Sequence, residues 1–95
     1  MEELAVRRRG SITDERGKEI KLIYCLAISR IKLEGLAAET YGVSVIADGG
    51  DMIESKTVHD VAGNITEAEK LVDLLWEGGA TPVTLADIVD DYIEN

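Results

Sequence analysis

Phenylalanine is absent from these 95 residues, and proline, tryptophan, cysteine and histidine occur once each. With only Tyr24, Tyr41, Tyr92 and Trp76 as aromatics, any core must be built from aliphatic side chains. A single cysteine, Cys25, excludes an intramolecular disulfide framework and fits a reducing compartment. One thiol and one imidazole cannot supply the Cys and His ligands of a zinc centre. No apolar run approaches membrane-spanning length, and the opening residues run acidic, apolar, then basic, the wrong order for a signal peptide. The expected location is the cytoplasm, with no membrane partner.

Positive charge is scarce where it would be most useful. Residues 1–59 carry ten acidic and nine basic side chains, whereas residues 60–95 carry nine acidic ones and only Lys70, out of a net charge of −9. So negative a surface is repelled by phosphate backbones, which argues against nucleic acid as a partner and leaves basic protein surfaces and cations. Ninety-five residues make one domain, 1–95, which buries somewhat over ~60% of its unfolded surface.

What the chain does contain is two periodicities. Residues 2–12 read as a first strand, and Asp14-Glu15-Arg16-Gly17 has the residues of a type I turn. The second strand, 19–31, alternates Ile20, Leu22, Tyr24, Leu26 and Ile28 with Lys21, Ile23, Cys25, Ala27 and Ser29. With both faces largely apolar, it suits a central strand covered by helices on one side and by something else, such as a partner subunit, on the other. Residues 32–39 have no clear period and read as a connection with room for a helical turn. Strands at 41–47 and 52–58 flank Asp48-Gly49-Gly50-Asp51, a two-residue hairpin signal that would set Val45 across from Glu54 and Val43 across from Lys56.

After Gly63 the period becomes 3.6. Ile65, Ala68, Leu71, Val72, Leu75 and Trp76 share one arc, Thr66 with Glu69 forms a capping box, and Gly78-Gly79 stops a helix over 66–78. A last helix, 84–94, has Thr84 as N-cap and a stripe of Leu85, Ile88, Val89, Tyr92 and Ile93. Asp87, Asp90, Asp91 and Glu94 fall together on its other face, with no cation among them. The order predicts an α+β fold: a four-stranded antiparallel meander with both helices packed on one face, each burying its stripe on the central strand.

Several groups invite chemistry. Cys25 and His59 could form a nucleophile–base pair only if adjacent, and an apolar mid-strand position favours an inert thiol. Asp48 and Asp51 flank a turn, but lack the ligand spacing of a calcium loop. No metal, cofactor or catalytic residue is assigned. Arg7-Arg8-Arg9 lacks the aromatic neighbours of a nucleic-acid site; strict alternation would send Arg8 to the face opposite Arg7 and Arg9, and acidic helices are the economical partners.

The segment Thr81-Pro82-Val83-Thr84-Leu85 through Asp87-Ile88-Val89-Asp90-Asp91-Tyr92-Ile93 resembles the C-terminal signature of a small uncharacterised family of anaerobic Gram-positive bacteria, a domain of unknown function. Tyr41-Gly42-Val43 and the helix around Leu71 to Leu75 are similar too, so the resemblance spans about residues 41–95. A basic residue expected near 84–87 in relatives is replaced here by Thr84 and Ala86. The resemblance implies no activity, cofactor or partner.

The expected function is therefore a small non-enzymatic protein-interaction module. Its acidic face, Asp87, Asp90, Asp91 and Glu94, would dock on a basic partner, with Tyr92 or Trp76 supplying apolar contact. The alternatives are a homo-oligomer assembled through the sheet and a small enzyme using Cys25 or His59.

Overall fold

A computed structural model describes residues 2–94, Glu94 by its backbone only. Four strands, β1 (Glu2–Thr13), β2 (Glu19–Leu33), β3 (Leu36–Asp48) and β4 (Ile53–Ala62), precede two helices, α1 (Ile65–Glu77) and α2 (Leu85–Glu94). The strands form one antiparallel sheet in the order β1-β2-β3-β4, as the alternation predicts.

Three details depart from the sequence-based expectation. The chain over 32–39 is not an irregular connection: Leu33 pairs with Leu36 around Glu34 and Gly35, both at positive φ (52° and 81°). Two left-handed residues make the primed turn whose twist matches a hairpin, so β2 and β3 run on as a two-stranded arm. Between β3 and β4, Asp48 pairs with Ile53, putting Val45 opposite Lys56 and Val43 opposite Val58. The loop takes four residues because Gly49 N–H bonds the Met52 carbonyl at 2.9 Å and Asp48 Oδ1 holds Gly50 N–H. A shift of two leaves each side chain on its expected face. In β1, Val6 pairs with Cys25 and Arg8 with Tyr24, so Arg7 is an extra, bulged residue.

Both helices lie on one face. Leu22, Tyr24 and Leu26 of β2 and Val43 and Val45 of β3 meet Ala68, Leu71, Val72 and Leu75 of α1 and Leu85 and Val89 of α2. α1 spans β1, β2 and β3, while α2 packs chiefly against β4 rather than the central strand. Only the first part of the α2 stripe is covered: Leu85 and Val89 are buried, whereas Tyr92 is 38% and Ile93 58% exposed.

The caps also differ. Asn64, not Thr66, caps α1: its side chain accepts the Glu67 N–H at 2.9 Å, the spacing of a capping box read two residues earlier. Gly79 (φ 65°) closes the helix in a Schellman motif, with Ala80 N–H on the Leu75 carbonyl and Gly79 N–H on that of Trp76. Ahead of α2 the turn starts at Thr81, whose carbonyl accepts from Leu85 N–H, while the Thr84 hydroxyl reaches back to accept from Thr81 N–H. Pro82 fits as the first residue of that turn, where no N–H is needed.

Candidate functional site: the open face of the sheet

Alternation along β2 sends Leu22, Tyr24 and Leu26 under the helices and Ile23, Cys25, Ala27, Ser29, Ile31 and Leu33 to the other side. Nothing in the described chain packs over that second side. Register adds Leu4 and Val6 from β1, Ser44 and Ile46 from β3, and Ser55 and Thr57 from β4. Its centre holds no charge. Cys25 and Ala27 are 1% exposed, screened by larger neighbours, whereas Leu4 and Val6 are 43% and 51% exposed. Ser44 Oγ is hydrogen-bonded with Thr57 Oγ1 at 3.0 Å, so the polar atoms at the centre satisfy each other.

The arm carries a second apolar group on the same side, beyond the polar row of Glu2, Ser29 and Thr40. Ile31 (40% exposed), Leu33 (66%) and Leu36 (75%) fall on the open side, while Arg30 and Lys32 alternate to the other. Beyond Ser29 and Tyr41 neither arm strand has an outer neighbour among the described residues. At the root of the arm, His59 Nδ1 lies 3.2 Å from Glu2 Oε2, a bridge from β4 to β1 above Ser29 and Thr40. A double bulge in β4 makes this possible. Tyr41 pairs with Ala62 and Val43 with Val58, so Gly42 faces three residues, His59 to Val61, with Asp60 at φ 54°.

The bulge at Arg7 decides where the arginines go. It sets Arg7 and Arg8 both on the helix side and leaves Arg9, level with Ile23, on the open side. Arg7 holds Asp73 through two nitrogens at 3.0 Å and Glu69 at 2.8 Å, and Arg8 Nε joins Asp73 at 3.0 Å. These hydrogen bonds, Arg7 first, hold the Asp73 carboxyl below its ordinary pKa of 3.8. The acidic partner expected for the arginine run is thus α1 of the same chain, not α2.

Trp76 belongs to the same cluster. Arg8 stacks 4.7 Å from its ring centroid, and its Nε1–H donates to the Arg9 carbonyl at 3.1 Å. Trp76 therefore works over β1, at the edge of the sheet opposite the one α2 covers, and is not brought to the acidic helix face. Asp87, Asp90 and Asp91 are exposed on α2, and Tyr92 is partly so. The Glu94 side chain lies outside what is described.

Cys25 has no base beside it: His59 meets Glu2, and burial pushes the thiol pKa up, against the formation of thiolate. Asp48 and Asp51 diverge, the first bonding Gly50 N–H and the second pairing with Lys18. Among the described residues no group of three or more acidic, His or Cys side chains is placed to hold a metal ion, and no helix is long and apolar enough to cross a membrane.

The model of a family of unknown function, DUF6514, matches residues 3–95. The chain belongs to that family. DUF6514 thus takes in the N-terminal hairpin as well as the C-terminal segment, so the open face and the arm lie within the matched region. No curated protein and no solved structure matches this DUF6514 chain.

Sequence reasoning found the apolar outer side of β2 but missed the arm and the faces of the arginines. The arm had one signal, Glu34-Gly35, a weak turn pair among the residues that favour positive φ. Nothing in Val6-Arg7-Arg8-Arg9 marks which residue is the bulge.

Proposed function

We propose that this protein is a non-catalytic interaction module whose working surface is the open face of its sheet. One observation carries the reading: apolar side chains lie opposite the helices in two groups, Leu4, Val6 and Ile23 on the sheet and Ile31, Leu33 and Leu36 on the projecting arm, divided by the row of Glu2, Ser29 and Thr40. Exposed apolar side chains gathered on one face are costly in water and mark a contact site. A two-stranded arm is at best marginally stable alone, and gains from being covered.

A second reading has its own observation. Because Arg7 and Arg8 are spent on α1, they do not neutralise Asp87 and Asp90, which stay exposed on α2. A basic partner could dock there, with salt-sensitive binding.

One experiment separates the two. Tagged wild type, Leu4→Lys/Val6→Lys, and Asp87→Asn/Asp90→Asn/Asp91→Asn are compared for partners held at low and high salt, after circular dichroism has confirmed folding. The open-face reading expects the lysine variant to lose its partners and the neutralised variant to keep them. The reverse outcome, with wild-type binding shed by salt, overturns it in favour of the acidic helix.

A further inference from the structure

We infer that the open face is covered by a second copy of this chain, related by a two-fold axis that runs between the two sheets, parallel to them, and crosses the strands. This rests on the open-face reading and names the occupant.

Area comes first. The molecule exposes 6317 Å², whereas a monomer of 10.3 kDa ordinarily exposes about 5,350 Å². The surplus, about 1,000 Å², comes from the long, thin shape and the arm as well as from the open face, and a stable interface asks roughly 800 Å² of each partner. Four strands about 4.8 Å apart and on the order of 40 Å long offer roughly 750 Å² on one side, enough for that contact.

Charge selects the arrangement. Aligned packing of the same face of two copies has its axis either along the strands or across them. An axis along the strands stacks β1 on the partner's β4 and sets Arg9 over the partner's Ser55, since Arg9, Ile23, Ile46 and Ser55 form one row. An axis across the strands stacks β1 on the partner's β1 in the opposite direction. Glu2 lies level with Ser29 and Arg9 level with Ile23, so an axis through the level of Leu26 exchanges the two rows. Arg9 of each copy then meets Glu2 of the other. Among the described residues no carboxylate pairs with Arg9, and a guanidinium desolvated without one is heavily penalised. Of the two, the axis across the strands gives it a carboxylate, once in each copy, and that carboxylate also lies 3.2 Å from His59 of its own chain. The same axis puts Ile31 of one arm over Lys21 of the other copy, so each arm lies along the far end of its partner's face instead of projecting into water.

The test uses purified full-length protein. Sedimentation equilibrium should give a dimer, with the dissociation constant raised at least about tenfold by Arg9→Glu or by Glu2→Arg and brought back in Arg9→Glu/Glu2→Arg. Within one chain the two residues are about 20 Å apart along β1, too far for the recovery to be intramolecular. In a Cys25→Ala background, Ile31→Cys mixed with Lys21→Cys should crosslink under mild oxidation, and Ile31→Cys with Ala38→Cys should not. A dimer without charge-swap recovery, or one that crosslinks through the second pair, overturns the arrangement. A monomer at millimolar concentration overturns the second copy as occupant, whereas the open-face reading fails only if the lysine variant above keeps its partners.

Discussion

The Tyr24 hydroxyl is 2.8 Å from the Ala80 carbonyl, both buried, and ties the central strand to the link between the helices. Burial also raises the phenol's pKa, so it remains a donor across the physiological range. Tyr24→Phe removes the donor and leaves that carbonyl unsatisfied, and urea denaturation should register a loss of about 1–3 kcal/mol. Gly42 is constrained differently. A β-carbon there would stand 2.2 Å from the Val58 carbonyl oxygen and 2.9 Å from the His59 α-carbon, both backbone atoms fixed by the β4 bulge. Gly42→Ala should cost about 3 kcal/mol or more and loosen the bulge that aims His59 at Glu2. A variant that denatures with the wild type would show that the bulge yields easily.

At the scale of elements, the tie between β1 and α1 is electrostatic at its rim. Asp73 has its pKa lowered by hydrogen bonds from Arg7 and then Arg8, so its contribution is full above the unfolded value near 3.9 and is lost as pH falls through the lower folded value. Stability should therefore decline below about pH 4 more steeply in the wild type than in Asp73→Asn, as followed by thermal melts from pH 6 to 2. These elements differ in how far the sequence discloses them. β2 announced itself through Ile20 to Ile28, and α1 through Leu71, Val72 and Leu75, because strong periodicity reports which face is buried. The arm escaped because Ile31 to Ala38 bury nothing within the chain, so no pattern of burial selected their residues. The register at Asp48 turned on two hydrogen bonds and the cap at Asn64 on one, which composition cannot rank. The open face itself was half legible: the outer side of β2 reads as apolar, but which β1 residues join it depends on one bulge.

Across the whole molecule the fold is long and thin. Its extents are 52 × 30 × 18 Å and its radius of gyration is 14.2 Å, against about 12.4 Å for a typical chain of this length. The helices cover the middle of one face, and the β2–β3 arm accounts for much of the extra length. Amides of Ile31 to Ala38 should exchange with solvent much faster than those of Leu22 to Leu26 in dilute protein, and slow markedly as concentration rises. Exchange in the arm that is independent of concentration would mean that it is not covered by association.

The extra residue at Arg7 makes the two halves of β1 count differently. Seven positions separate Glu2 from Arg9, an odd number that unbroken alternation would assign to opposite sides, yet both face outward on the open side. Deleting one residue here would leave composition, charge pattern and strand length almost untouched while turning Leu4 and Val6 inward and Glu3 and Ala5 outward. A point substitution in β1 alters one side chain, but an insertion or deletion between Val6 and Arg8 exchanges the two faces of half the strand at once.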